Sequence, residues 1–96
     1  MAKLTIVAHI HAEPGQADRV GAALAQLVPI TRAEDGCLRY DLHRDNEDPA
    51  HFMFYETWES RALWRQHMEA PHLAEYVEAT RDAVVDFKLY EMSHTV

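Results

Sequence analysis

The sequence predicts an α+β fold in which one antiparallel sheet carries its helices on a single face. Three observations support this. Four stretches alternate apolar and polar residues with the period of a strand, two others repeat apolar residues at helical spacing, and together they run in the order βαββαβ.

Residues 3–11 open the pattern, with Leu4, Ile6, Ala8 and Ile10 on one face and Thr5, Val7, His9 and His11 on the other. Glu13-Pro14-Gly15 breaks this strand. Val20, Leu24, Leu27, Val28 and Thr31 then recur at helical spacing, with Asp18, Arg19 and Gln26 off that stripe, as in an amphipathic helix. Pro29 falls late in the helix, where its missing N–H weakens the last turn, and Glu34-Asp35-Gly36 ends it. Residues 37–44 read as a second strand, with Leu38, Tyr40 and Leu42 facing one way and Arg39, Asp41 and His43 the other. The turn over residues 45–49 leads into an aromatic-rich third strand, Phe52 to Trp58, which should pair antiparallel with the second.

Ser60 is a suitable N-cap for a helix starting at Arg61. Pro71 interrupts that helix before a segment with Leu73, Tyr76, Val77, Thr80 and Val84 on one side. Residues 86–94 alternate again, Phe87, Leu89 and Glu91 against Lys88, Tyr90 and Met92. This order is that of a ferredoxin-like domain spanning residues 1–96. The sheet face away from the helices would carry Val7, Met53, Tyr55, Tyr90 and Met92, more apolar surface than water tolerates, so a second copy packed sheet to sheet is expected.

Composition narrows the function. Nine Lys and Arg against sixteen Asp and Glu give a net charge of −7, spread along the chain, which repels a phosphate backbone and argues against nucleic acid as a partner. The single cysteine, Cys37, cannot form an internal disulfide, and it reads as a small strand residue rather than a nucleophile. No apolar run approaches the roughly 18 residues of a membrane span, and the N-terminus enters a strand pattern without a leader-like stretch. A cytoplasmic protein is expected. Phosphate-binding loops, serine elbows and dinucleotide fingerprints do not occur.

The residues that could carry chemistry cluster late in the chain. His67 lies one turn after Leu63 on the stripe expected to face the sheet, so its imidazole is aimed inward. Such a histidine is either a packed core residue or a general base whose pKa burial can tune. Trp58 and Tyr40 could wall the same space, while Tyr76, at helical spacing from Leu73 and Thr80, reads first as a core residue whose hydroxyl wants a partner. His9 and His11 project from one strand face and could chelate a metal if His43 or Glu91 lay near. No closed ligand set accompanies them, and no metal is expected.

The chain resembles the antibiotic biosynthesis monooxygenase superfamily of dimeric α+β barrels, including its small quinol monooxygenase-like members. The resemblance rests on the first strand running into Glu13-Pro14-Gly15-Gln16, on Glu34-Asp35-Gly36-Cys37-Leu38-Arg39-Tyr40, on Tyr55-Glu56-Thr57-Trp58-Glu59-Ser60, and on His67 with Pro71-His72-Leu73 and Tyr76. It implies a homodimer whose sheets close into a barrel, with a pocket between helices and sheet in each subunit. It also implies oxidation of a phenolic, quinol or polycyclic aromatic substrate by dioxygen, without metal, haem or flavin. On this resemblance His67 is the catalytic base, and Tyr40, Trp58, Trp64, His72 and Tyr76 contact the substrate. The asparagine that polyketide-tailoring members carry on the third strand is replaced by Phe54, and the slots used by haem-degrading members hold Ala8 and His67, so haem degradation is not expected. Two other readings stay open. One is a base-catalysed isomerase of a small polar or phosphorylated metabolite, which would need an inward cation such as Arg39, Arg61, Arg65 or Arg81. The other is a non-catalytic dimer that binds a small molecule.

Overall fold

The computed structural model describes residues 2–96. The elements run β1 (Leu4–Ala12), α1 (Ala17–Arg32), β2 (Cys37–Arg44), β3 (His51–Trp58), α2 (Arg61–Met68), α3 (Pro71–Ala79) and β4 (Val84–Met92). All pairings are antiparallel, in the spatial order β2-β3-β1-β4, which is the ferredoxin-like arrangement. Pro71 splits the second helical region as its position predicts, standing at the N-terminus of α3. Ser60 caps α2, its side chain accepting a hydrogen bond from the Leu63 amide at 3.2 Å.

One boundary differs from the pattern reading. The apolar series Leu73, Tyr76, Val77, Thr80 and Val84 suggested a continuous helix, but α3 stops at Ala79 and Val84 opens β4. The Thr80 hydroxyl donates to the Tyr76 carbonyl at 2.8 Å, and the amides of Ala83 and Val84 bond to the Thr80 carbonyl, so the chain turns there. Val77 consequently points outward, 53% exposed.

Strand alternation divides β1 and β3 cleanly, whereas in β2 a register shift between Cys37 and Arg39 leaves Leu38 49% exposed instead of inward beside Tyr40. Leu4, Ile6, Ala8, Ile10, Phe52, Phe54 and Trp58 are buried on the helix side, where Val20, Leu24 and Leu27 of α1 complete the core. At roughly 25 cal/mol per Å² of apolar surface removed from water, this layer is the main stabilising term. The helices pack mostly over β2, β3 and β1, and leave the helix side of β4 thinly covered, so Phe87 is 54% exposed. The opposite face has no helix on it. Val7 and Met53 are half-buried there, and Tyr55, Tyr90 and Met92 are exposed. Among the described residues, no helix is long and apolar enough to cross a membrane.

Candidate active site

Two short helices and one turn assemble the polar centre of the molecule. Trp64 and His67, three residues apart on α2, share its buried face, and His67 is only 2% exposed. The facing carboxylate, Glu34, comes from the turn between α1 and β2. Gly36 makes that turn tight. Its φ is +84°, and a Cβ at this position would fall 2.5 Å from Leu63 Cδ1 and 2.8 Å from Leu63 Cβ. Backbone close enough to touch α2 thus carries Glu34 beneath His67.

His67 Nδ1–H donates to Glu34 Oε2 at 2.7 Å. Burial holds the imidazole below its ordinary 6.5, while the Glu34 carboxylate pulls the other way. A neutral ring with its proton on Nδ1 keeps its lone pair on Nε2, which is the state a general base needs. His72 Nε2 lies 3.0 Å from Thr31 Oγ1 and 3.4 Å from the same Glu34 oxygen. The donor atoms of Glu34, His67 and His72 fall within 4.8 Å of one another, so this trio could also hold a divalent ion.

A second carboxyl group stands behind the first pair. Glu56, buried on β3 in phase with Phe52, Phe54 and Trp58, accepts a hydrogen bond from Trp58 Nε1 at 2.8 Å. Burial raises its pKa to about 7 against the opposing effect of that bond, so the carboxyl can carry its proton far closer to neutral pH than an ordinary glutamate. Tyr40 stacks on Phe54 at 4.4 Å and meets the His67 ring edge-on at 5.6 Å. Its phenol is driven far above its ordinary 10, chiefly by burial and then by Glu56.

Tyr40, Phe54, Glu56, His67, Tyr76 and Leu89 line a cavity of about 50 Å³. Alone it holds little more than a water molecule or dioxygen. An apolar groove of about 300 Å³ between α3 and β4 adjoins it, and Met68, Leu73, Tyr76 and Phe87 belong to the walls of both spaces. That volume is at the small end of ligand pockets and suits a molecule of one or two rings.

The residues named from sequence fall into two groups. Tyr40, His67 and Tyr76 line the inner cavity. Trp58, Trp64 and His72 do not. Trp58 is fully buried, packed against the His67 ring at 4.8 Å, and reaches the cavity through Glu56. Trp64 is buried in the core and its Nε1 has no hydrogen-bond partner among the described residues. His72 lines an outer cleft between α1 and α3 and connects inward through Glu34. Burial, followed by Glu56 and Glu34, pushes the Cys37 thiol up to about 11, so it stays protonated.

Glu34 and Glu56 were missed from sequence. Glu56 had left a signal, a charge in phase with three inward aromatics, whereas Glu34 read as helix-ending punctuation. Among the cations considered for an anionic substrate, Arg39 pairs with Asp41 and Arg61 with Glu91. Arg81 lines the groove but pairs with Glu78.

This sheet, with a histidine–carboxylate pair beside a small cavity that adjoins an apolar groove, defines a ferredoxin-like domain with a polar centre between helices and sheet. The chain belongs to the antibiotic biosynthesis monooxygenase family, whose pattern matches residues 3–79. It is similar to the Escherichia coli K12 protein named probable quinol monooxygenase YgiN, 30% identical over 90% of this chain and 92% of YgiN. It is also similar to the uncharacterized protein sll1783 of Synechocystis, 25% identical over 96% of this chain, and spans only 65% of that relative's length. Among solved structures, the crystal structure of PA3566 from Pseudomonas aeruginosa superposes with a TM-score of 0.95 at 31% identity, covering 100% of this chain and 97% of PA3566. Family and relatives support an activity of the monooxygenase type.

Proposed function

We propose that the protein is a cofactor-independent monooxygenase that oxidises a phenolic or quinol ring with dioxygen. The observation that carries this reading is the His67–Glu34 pair, which borders a cavity that adjoins the apolar groove between α3 and β4. The ring sits in the groove and its hydroxyl reaches inward. His67 Nε2 takes the phenolic proton, and Glu34 stabilises the imidazolium so formed. The electron-rich ring carbon then bonds to dioxygen, giving a peroxide that the protonated Glu56 carboxyl can neutralise. Loss of water leaves a ring carbonyl. One oxygen atom enters the product, the other leaves as water with the phenolic and ring hydrogens, and the substrate supplies all four electrons. No external reductant is required.

An isomerase of an anionic metabolite is less well supported, because a carboxyl rather than a cation faces the cavity. A purely binding role is less well supported too, because His67 bonds to a carboxylate and borders a cavity instead of being tied to backbone. The working unit is a homodimer in which a second copy covers Val7, Met53, Tyr55, Tyr90 and Met92. The chemistry is tested by oxygen uptake on hydroquinones prepared anaerobically, with the fold of each variant checked by circular dichroism. Wild type is expected to consume oxygen well above buffer and His67→Ala to fall to the buffer rate. Uptake by wild type no faster than buffer, or unchanged in His67→Ala, overturns the reading.

A further inference from the structure

The sheet face that a second copy would cover holds a second group of imidazoles at its hairpin end, separate from the His67 site, with Met53 belonging both to that face and to the cavity beside them. His9 and His11 share one face of β1, as their spacing requires, and the register of β1 on β3 adds a third histidine that sequence spacing does not reveal. His51 stands directly opposite His11, and His9 stands opposite Met53. On the other side of β3, His43 of β2 also pairs with Met53.

The side chains converge. His9 Nδ1 lies 2.8 Å from His51 Nε2, and the His11 ring stacks on His51 with centroids 4.3 Å apart. The other nitrogen of His51, Nδ1, donates to Asp45 Oδ2 at 3.0 Å. His9, His43, Asp45 and His51 line one cavity of about 180 Å³ at the hairpin end of the sheet.

An ionised carboxylate only accepts, so Asp45 fixes the tautomer of His51. The proton sits on Nδ1, and the Nε2 lone pair faces His9. A histidine whose far nitrogen is held by a carboxylate while its near nitrogen meets a second imidazole is the usual layout of a histidine metal ligand and its orienting partner. We propose that His9 Nδ1, His51 Nε2 and His43 bind a divalent transition ion of the zinc or copper class in this cavity, with Asp45 orienting His51. Three imidazole donors favour such ions over magnesium or calcium.

The His9–His51 pair needs little adjustment, and His43, a wall of the same cavity, must turn its ring toward the ion. Nitrogens about 2.0–2.1 Å from a tetrahedral ion sit roughly 3.3 Å apart, so the His9–His51 pair opens by about half an ångström. His9 moves its own proton to Nε2, and no net charge changes hands. His43 is exposed and makes no side-chain hydrogen bond among the described residues, so it can swing onto the ion. Water completes the shell. Glu91, the other third ligand considered from sequence, lies on the helix side of the sheet paired with Arg61 and takes no part.

The test is calorimetric titration of the full chain with Zn²⁺, repeated on His51→Gln, His9→Gln and Glu34→Gln, with thermal melts to confirm that each variant folds. The expected result is an equivalent of zinc per chain that either sheet-face substitution weakens roughly tenfold or more, and that survives Glu34→Gln. Asp45→Asn should lower affinity about tenfold while leaving all three ligands in place. The proposal is overturned by no uptake at micromolar zinc, by binding unchanged in His51→Gln and His9→Gln, or by binding lost only in Glu34→Gln, which would place the ion at the His67 site.

Discussion

Replacing Glu56 with Gln keeps the side chain's shape and an acceptor for Trp58 Nε1, and it removes a buried proton equilibrium. Folding raises this carboxyl from its ordinary 4.5 to about 7, because burial penalises the charge more than the Trp58 bond favours it. Between those values the native state binds more protons than the unfolded chain. The group's contribution to stability is therefore fully present below pH 4.5 and lost as pH rises through 7. At about 1.36 kcal/mol per pH unit, the loss is under about 1 kcal/mol at pH 5 and about 3 kcal/mol at pH 8. Gln does not titrate. Relative to wild type, Glu56→Gln should accordingly gain roughly 2.5 kcal/mol between pH 5 and pH 8. Urea unfolding followed by tryptophan fluorescence, at fixed protein concentration, reads this as a midpoint shift of about 1–2 M at the higher pH. A stability difference that is the same at both pH values would refute the buried, uptake-coupled carboxyl.

Glu34→Gln removes the group that props up the His67 pKa against burial, so the acid limb of kcat/KM should move to lower pH. The lost charge-assisted bond should cost about 1.5–3 kcal/mol, roughly tenfold to a hundredfold in kcat/KM, and an unmoved limb contradicts the pairing. Gly36 and Gly15 share a φ of +84°, but only at Gly36 does a new Cβ meet the Leu63 stem; it finds open space at Gly15. Gly15→Ala should cost about 1 kcal/mol and Gly36→Ala at least about 2–3 kcal/mol. Equal losses in thermal or urea melts would show that the turn does not abut α2. Sedimentation at micromolar concentration should give twice the chain's 11.1 kDa, and a mass near 11.1 kDa would sink the sheet-face argument.

Most of the fold could be read from local pattern, because alternation and helical spacing are set by neighbours in the chain. The faces of β1 and β3, the cap at Ser60 and the break at Pro71 are all of this kind. The inward aim of His67 followed from its distance to Leu63. Its partner did not, since Glu34 is brought under α2 by a turn whose closeness depends on Gly36 meeting Leu63, a contact between residues far apart in sequence. His51 escaped notice for the same reason. Only the register of β1 on β3 sets it beside His9. The division of the aromatics into cavity walls (Tyr40, Tyr76) and backing (Trp58, Trp64) likewise depends on how far the helices stand off the sheet, which no spacing encodes.

Strand β4 lies at the edge of the sheet and carries Val85, Phe87, Tyr90 and Met92 at least 37% exposed. An edge with unpaired backbone and apolar side chains on both faces is a template for uncontrolled strand addition. Handling is the practical consequence. A substitution that bares more of this strand is expected to make concentrated samples turn cloudy. A lysine introduced at Val85 would act as a gatekeeper and keep such samples clear.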